Sequence, residues 1–227
     1  MSDGREHFQK ELHQLNDLIL KMGAMVEKAI FNSVEALKKN NPKMAQAVIA
    51  ADDELDQLEL VIDEKCLELL ATQQPMAVDL RFITTGMRIG SDLERIGDLA
   101  VDIAQRSLEL SSQPLLKPLI DIPKMADLAE KMVHKALDAF VRKDVCLART
   151  LWEDEEKVDG YRDLVSDELT AIMTQEPTAA TRALPLILIA RHLERIADHA
   201  TNIAEDVVYM VEGKVVKHGG GLSGQRG

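Results

Sequence analysis

The segment LERIGDLAVDIA, beginning at Leu93, returns one hundred residues later as LERIADHATNIA, beginning at Leu193, with eight of twelve positions identical. Other landmarks repeat around it. MVEKAI at Met25 pairs with MVHKAL at Met132, NPKMA at Asn41 with DVCLA at Asp144, and LDQLE at Leu55 with VDGYR at Val158. The QQP turn at Gln73 likewise has its counterpart in QEP at Gln175. The offset shortens from 107 to 103 to 100 residues along the chain, as small loop differences would produce. A chain made of two copies of one unit folds the same way twice, which removes most other topologies from consideration.

That unit is helical. Leu, Ala, Met and Glu are abundant while aromatic residues are only 3%, the reverse of what a sheet requires. Periodicity predicts a first helix over about 5–39, closed at Asn40-Asn41-Pro42, where Asn41 can cap the next and Pro42 take its first position. A second helix follows to about Thr72, and a third from the Gln-Gln-Pro turn to about Leu110. SSQPLLKPLIDIP, with three prolines, reads as a linker over 112–123. The cycle then repeats, with helices over about 124–142, from Asp144 to about Thr174, and from Pro177 to about Glu212. The expected fold is all-α: two tandem pseudo-symmetric three-helix bundles, six helices, over 5–111 and 124–213. The Gly-rich segment 214–227 is expected to be disordered.

Composition narrows function. At 227 residues, 46% hydrophobic and 29% charged, the chain can bury a proper core. A formal charge of -12 repels phosphate backbones, so nucleic acid is not an expected partner. MSDGREHFQKEL lacks the basic and apolar regions of a signal peptide, and the longest apolar run, LPLILIA, is too short for a bilayer. A cytoplasmic location follows, with membrane contact only through partners. Cys66 and Cys146 lie in helical patterns with no metal spacing and read as buried thiols. The ten methionines and Trp152 sit at helical spacing and read as core.

The acids carry the functional signal. Glu94 and Asp98 share a stripe of the third helix, with Asp102 next along it, and Glu194 and Asp198 repeat the pair. The preceding helices carry Asp52/Asp56 and Glu155/Asp159. Like charges at i,i+4 cost about 0.2–0.5 kcal/mol per pair, so keeping them in both repeats calls for a compensating cation. Antiparallel neighbours would join the pairs into one four-carboxylate patch per repeat, pointing away from the apolar face. Oxygen-only clusters suit Mg²⁺, Mn²⁺ or iron. Arginines are the alternative cation: Arg191 lies three before Glu194, and Arg95 and Arg195 follow their glutamates. His199 leans to the apolar side and reads as a satisfied core histidine. His134 has no evident partner.

Catalysis is not expected. A di-iron bundle needs ExxH steps projecting into the core, and Glu130 to His134 is one residue too long. Phosphate-binding loops and nucleophile elbows are missing from the sequence.

DLERIGDLAVDIA, HLERIADHATNIAEDVVYMVEG and QQPMAVDLR together resemble the PhoU family of phosphate-specific transport system accessory proteins, over about Phe8 to Gly213. The resemblance implies a homodimer of paired three-helix bundles. It implies an adaptor between the ATPase of a phosphate ABC transporter and a sensor histidine kinase, acting as a negative regulator of the phosphate-starvation response. It also implies metal (Mg, Mn, Fe or Zn) at Asp52, Asp56, Glu94 and Asp98 and at Glu155, Asp159, Glu194 and Asp198. Asn202 replaces Asp102 in the second copy, which points to a different nuclearity there. The competing roles are a carboxylate-bridged metal enzyme or metal store, and a scaffold whose acids meet basic partner surfaces.

Overall fold

A computed structural model describes residues 2–216; the expectation for 217–227 lies outside the described residues. The first helix, α1 (Ser2–Lys38), aligns Leu12, Leu15, Ile19, Met22, Val26 and Ile30 on one buried stripe. Asn40 turns the chain with a left-handed φ of 47°, and the Asn41 side chain accepts from the Met44 N–H at 3.2 Å to open α2 (Pro42–Ala50). Helices α3 (Asp52–Gln73) and α4 (Ala77–Leu110) complete the first bundle. The second bundle comprises α5 (Asp121–Arg142), α6 (Val145–Arg149), α7 (Leu151–Gln175) and α8 (Ala180–Glu212), with a 3₁₀ turn at Pro177–Ala179. All six expected long helices are present.

Two boundaries differ from the periodicity. The second helix of each repeat breaks, at Ala51 and at Thr150, leaving the short segments α2 and α6. Ala45 and Val48 of α2 form a small cluster with Ala36 and Ala104, while α3 turns Leu55, Leu58, Ile62, Cys66 and Leu69 into the main core. The other difference is at α5, which begins at Asp121 with Pro123 in its first turn, where a missing N–H breaks no helical bond.

A single core runs through both bundles, from Leu15 and Ile19 to Ile203 and Val207. The bundles meet where α4 packs on α8 and α1 on α5. Glu27 and His134 hold the same place in the two repeats and touch each other, Oε1 to Nδ1 at 3.1 Å. Equivalent residues in contact straddle the pseudo-twofold axis, so His134 has a partner that its own repeat could not reveal. Cys146 is exposed, contrary to expectation, because the short α6 turns Ala148 inward and leaves Cys146 on its outer side; Cys66 is buried beneath α4. Met76 is likewise no core residue: it is exposed at the turn before α4.

Candidate metal centre

On α3, Asp52, Asp56, Glu59 and Asp63 follow one another at steps of four, three and four residues, which keeps them on one stripe. All four are half-buried, because the stripe leans toward α4 and not into solvent. Glu94 and Asp98 of α4 face it. The Asp98 charge acts on Asp52 and Glu59, and Asp56 and Glu59 act on Glu94, so the two helices share one field of negative charge. Burial foremost, then these neighbouring carboxylates, pushes Asp52, Glu59 and Glu94 above the usual carboxylate range. Arg95 reaches the group, 3.5 Å from Glu94 Oε2 and 3.4 Å from Asp98 Oδ2, with its side chain more than half exposed.

Gly97 sets the spacing of these helices. A Cβ there would lie 2.6 Å from Leu55 Cδ2, so glycine lets α3 come close at the level of the acids. In the second repeat the motif carries Ala197, and the smaller Val158 stands where Leu55 stands.

The second stripe has the same positions and different chemistry. Glu155, Asp159, Arg162 and Ser166 of α7 stand where Asp52, Asp56, Glu59 and Asp63 stand in α3. Arg162 Nη1 lies 2.8 Å from Glu194 Oε1, and its Nε lies 2.8 Å from Asp163. Burial raises Glu194, Arg162 pulls it back down, and Asp198 and Asp159 push it up again. Glu155 is buried, which corrects the expectation of an outward acid face at that position.

All eight sequence-predicted residues therefore lie along the α3/α4 and α7/α8 contacts, four to each. Among the described residues, no three Asp, Glu, His or Cys side chains converge closely enough to hold one ion as they stand. Holding an ion requires rotation about the carboxylate stems. The donor set, oxygen only and crowded with like charge, fits a hard cation. Asp102 leaves the stripe: its position 80° round from Glu94 turns it toward α8, 3.7 Å from His192 Nδ1. His199 is satisfied by Asp92 at 2.8 Å across the same seam, as expected, but it sits half-buried at the edge of the seam and not in the core. Glu59 and Arg162 were missed by reading only i,i+4 pairs. The i,i+7 step from Asp52, laid over the second repeat, finds both.

The α4/α8 seam carries a second set of polar residues. Arg88 lies 2.8 Å from Asp206 and 5.5 Å from the Tyr209 ring centre, and Arg81 Nε donates to the Met210 carbonyl at 2.9 Å. These contacts tie the N-terminal half of α4 to the C-terminal half of α8.

A family model described as the PhoU domain matches residues 19–107 and again residues 122–207. A protein of Aquifex aeolicus, named phosphate-specific transport system accessory protein PhoU homolog, is 40% identical over 209 residues, covering 92% of this chain and 95% of its own. Homolog 2 of Thermotoga maritima is 40% identical over 199 residues, covering 88% and 85%. The crystal structure of PhoU from Pseudomonas aeruginosa superposes with a TM-score of 0.88 at 39% identity, over 91% of this chain and 100% of that one. The phosphate transport system regulatory protein PhoU from Streptococcus pneumoniae gives 0.87 at 31% identity, over 92% and 99%.

Proposed function

The chain belongs to the PhoU family, and on that premise we propose that it is a cytoplasmic regulatory adaptor of a phosphate-specific ABC transport system. It links the transporter ATPase to a sensor histidine kinase and represses the phosphate-starvation response when phosphate is plentiful. The observation that carries this reading is the family match to both repeats, together with relatives named as accessory proteins of that transport system. No helix among the described residues is long and apolar enough to cross a membrane; in this reading the chain meets the membrane through its transporter partner. The acidic helical faces suit docking on basic surfaces of such partners. A homodimer is part of the reading.

Metal is the second part. Asp52, Asp56, Glu94 and Asp98, with Glu59 beside them, would hold an Mg, Mn, Fe or Zn ion in the first repeat, and Glu155, Asp159, Glu194 and Asp198 in the second. When bound, such an ion would supply positive charge that screens the carboxylates of Asp52, Asp56, Glu94 and Asp98 between α3 and α4. The protein's role is then binding and signalling, not turnover.

Deleting the gene tests the adaptor. Expression of starvation-induced genes in phosphate-rich medium is expected to rise toward its starved level, and unchanged expression counts against the proposal. Metal analysis of the purified chain separates adaptor from metal store, since a store would load many more ions than two patches can take.

A further inference from the structure

The two acidic stripes are superposable in sequence and opposed in one respect: at the position of Glu59 in the first, the second has Arg162. We propose that Arg162 is a built-in cation that occupies the second patch, so that the two repeats are unequal: the first patch takes up an external metal ion with high affinity and the second only weakly. This rests on the metal reading above.

The geometry is direct. Arg162 comes from the stripe of α7 that faces α8, and its guanidinium reaches Glu194, the glutamate of the repeated LERI motif, at 2.8 Å. Its side chain is largely covered, as is that of Glu194, so the pair is shielded from salt. An ion entering here would have to displace a tethered charge that cannot leave. In the first repeat the same place holds a carboxylate, and Asp63 adds another where the second repeat has Ser166. The α3 stripe thus carries four acids, while the α7 stripe carries two acids and one base. Arg95, the cation that reaches the first patch, is more than half exposed and lies at 3.4–3.5 Å, so it can swing out into water when an ion arrives. Arg162 cannot do so without uncovering Glu194.

One series of full-length variants, stripped with a chelator and dialysed against Mn²⁺, tests this by bound manganese per chain and by the shift in melting temperature on adding Mn²⁺. Asp159→Asn/Asp198→Asn is expected to keep the high-affinity manganese, and Asp56→Asn/Asp98→Asn to lose it. Arg162→Glu, which restores the residue type of Glu59, is expected to add a second class of sites with affinity raised at least about tenfold over the wild-type second patch. Should Arg162→Glu fold poorly without metal, Arg162→Gln removes the charge more gently and is expected to show the same gain in smaller measure. Equal manganese losses from the two Asn pairs, or no gain from either Arg162 variant, would overturn the inequality while leaving the metal reading intact. If wild type and all variants bind none, the metal reading falls and this inference falls with it.

Discussion

Glu11 on α1 accepts a hydrogen bond from Lys65 on α3, and both side chains are largely covered. The second repeat makes its counterpart with the charges exchanged: Glu168 stands where Lys65 stands, and it accepts from Lys117, in the segment leading into α5. The bundle therefore tolerates either polarity at this place, provided the partner matches. Glu11→Lys and Lys65→Glu should each lower the urea midpoint by leaving a half-buried charge facing its like. The double exchange should recover most of that loss. No recovery would mean that stem packing, and not charge, holds the pair.

The acids of the first patch and the ion-paired acids elsewhere have opposite pH dependence. Asp52 and Glu94 are held above the usual range by burial and by neighbouring carboxylates, so their cost to stability is full above the folded pKa and disappears as pH falls below the unfolded one. Glu11 and Glu35 are held below it by Lys65 and by Lys38 and Lys39, so their contribution is present at neutral pH and lost in acid. The metal-free Asp52→Asn variant should thus melt above wild type at neutral pH. That advantage should close as pH drops through about 4, the ordinary aspartate range. An advantage that is constant with pH would show that desolvation and charge are not its source.

Gly97 and Leu55 should be energetically coupled. Gly97→Ala gains about 1 kcal/mol of helix propensity but drives a Cβ into the Leu55 methyl, and overpacking costs about 1–3 kcal/mol. In a Leu55→Val background, which reproduces the Val158/Ala197 pair of the second repeat, the same change should be better tolerated, with a coupling of about 1 kcal/mol. A double-mutant cycle by denaturant unfolding measures it, and additivity would refute the contact.

The seam between the bundles offers a further test. His199→Leu copies the residue at the equivalent position, Leu99, yet strips Asp92 of its 2.8 Å partner. A loss of about 1–3 kcal/mol is expected for the stranded carboxylate, and Asp92→Leu in the same chain should restore part of it. A single change without cost would show that water replaces the imidazole.

Thiol reactivity reports burial. The Cys66 thiol is enclosed and pushed up to about 12 by burial and by Asp63, whereas Cys146 is exposed. A thiol reagent should label Cys146 rapidly in the native protein and Cys66 only on unfolding.

Much of this molecule is legible in its sequence. Helical period, the Asn41-Pro42 and Asp144 caps and the duplicated landmarks specify two three-helix units, because caps and amphipathic stripes are local properties of a few consecutive residues. The four acid pairs were legible for the same reason. Their surroundings were not. Whether Asp102 joins Glu94 or turns to His192 depends on which neighbouring helix lies 80° further round. Whether Glu155 meets water or protein depends on how closely α7 approaches α8. The Glu27–His134 contact depends on how one repeat docks on the other. Local periodicity settles which face a residue occupies; what stands opposite that face is a relation between segments 32 residues apart at Arg162–Glu194 and 107 apart at Glu27–His134, and packing alone assigns it.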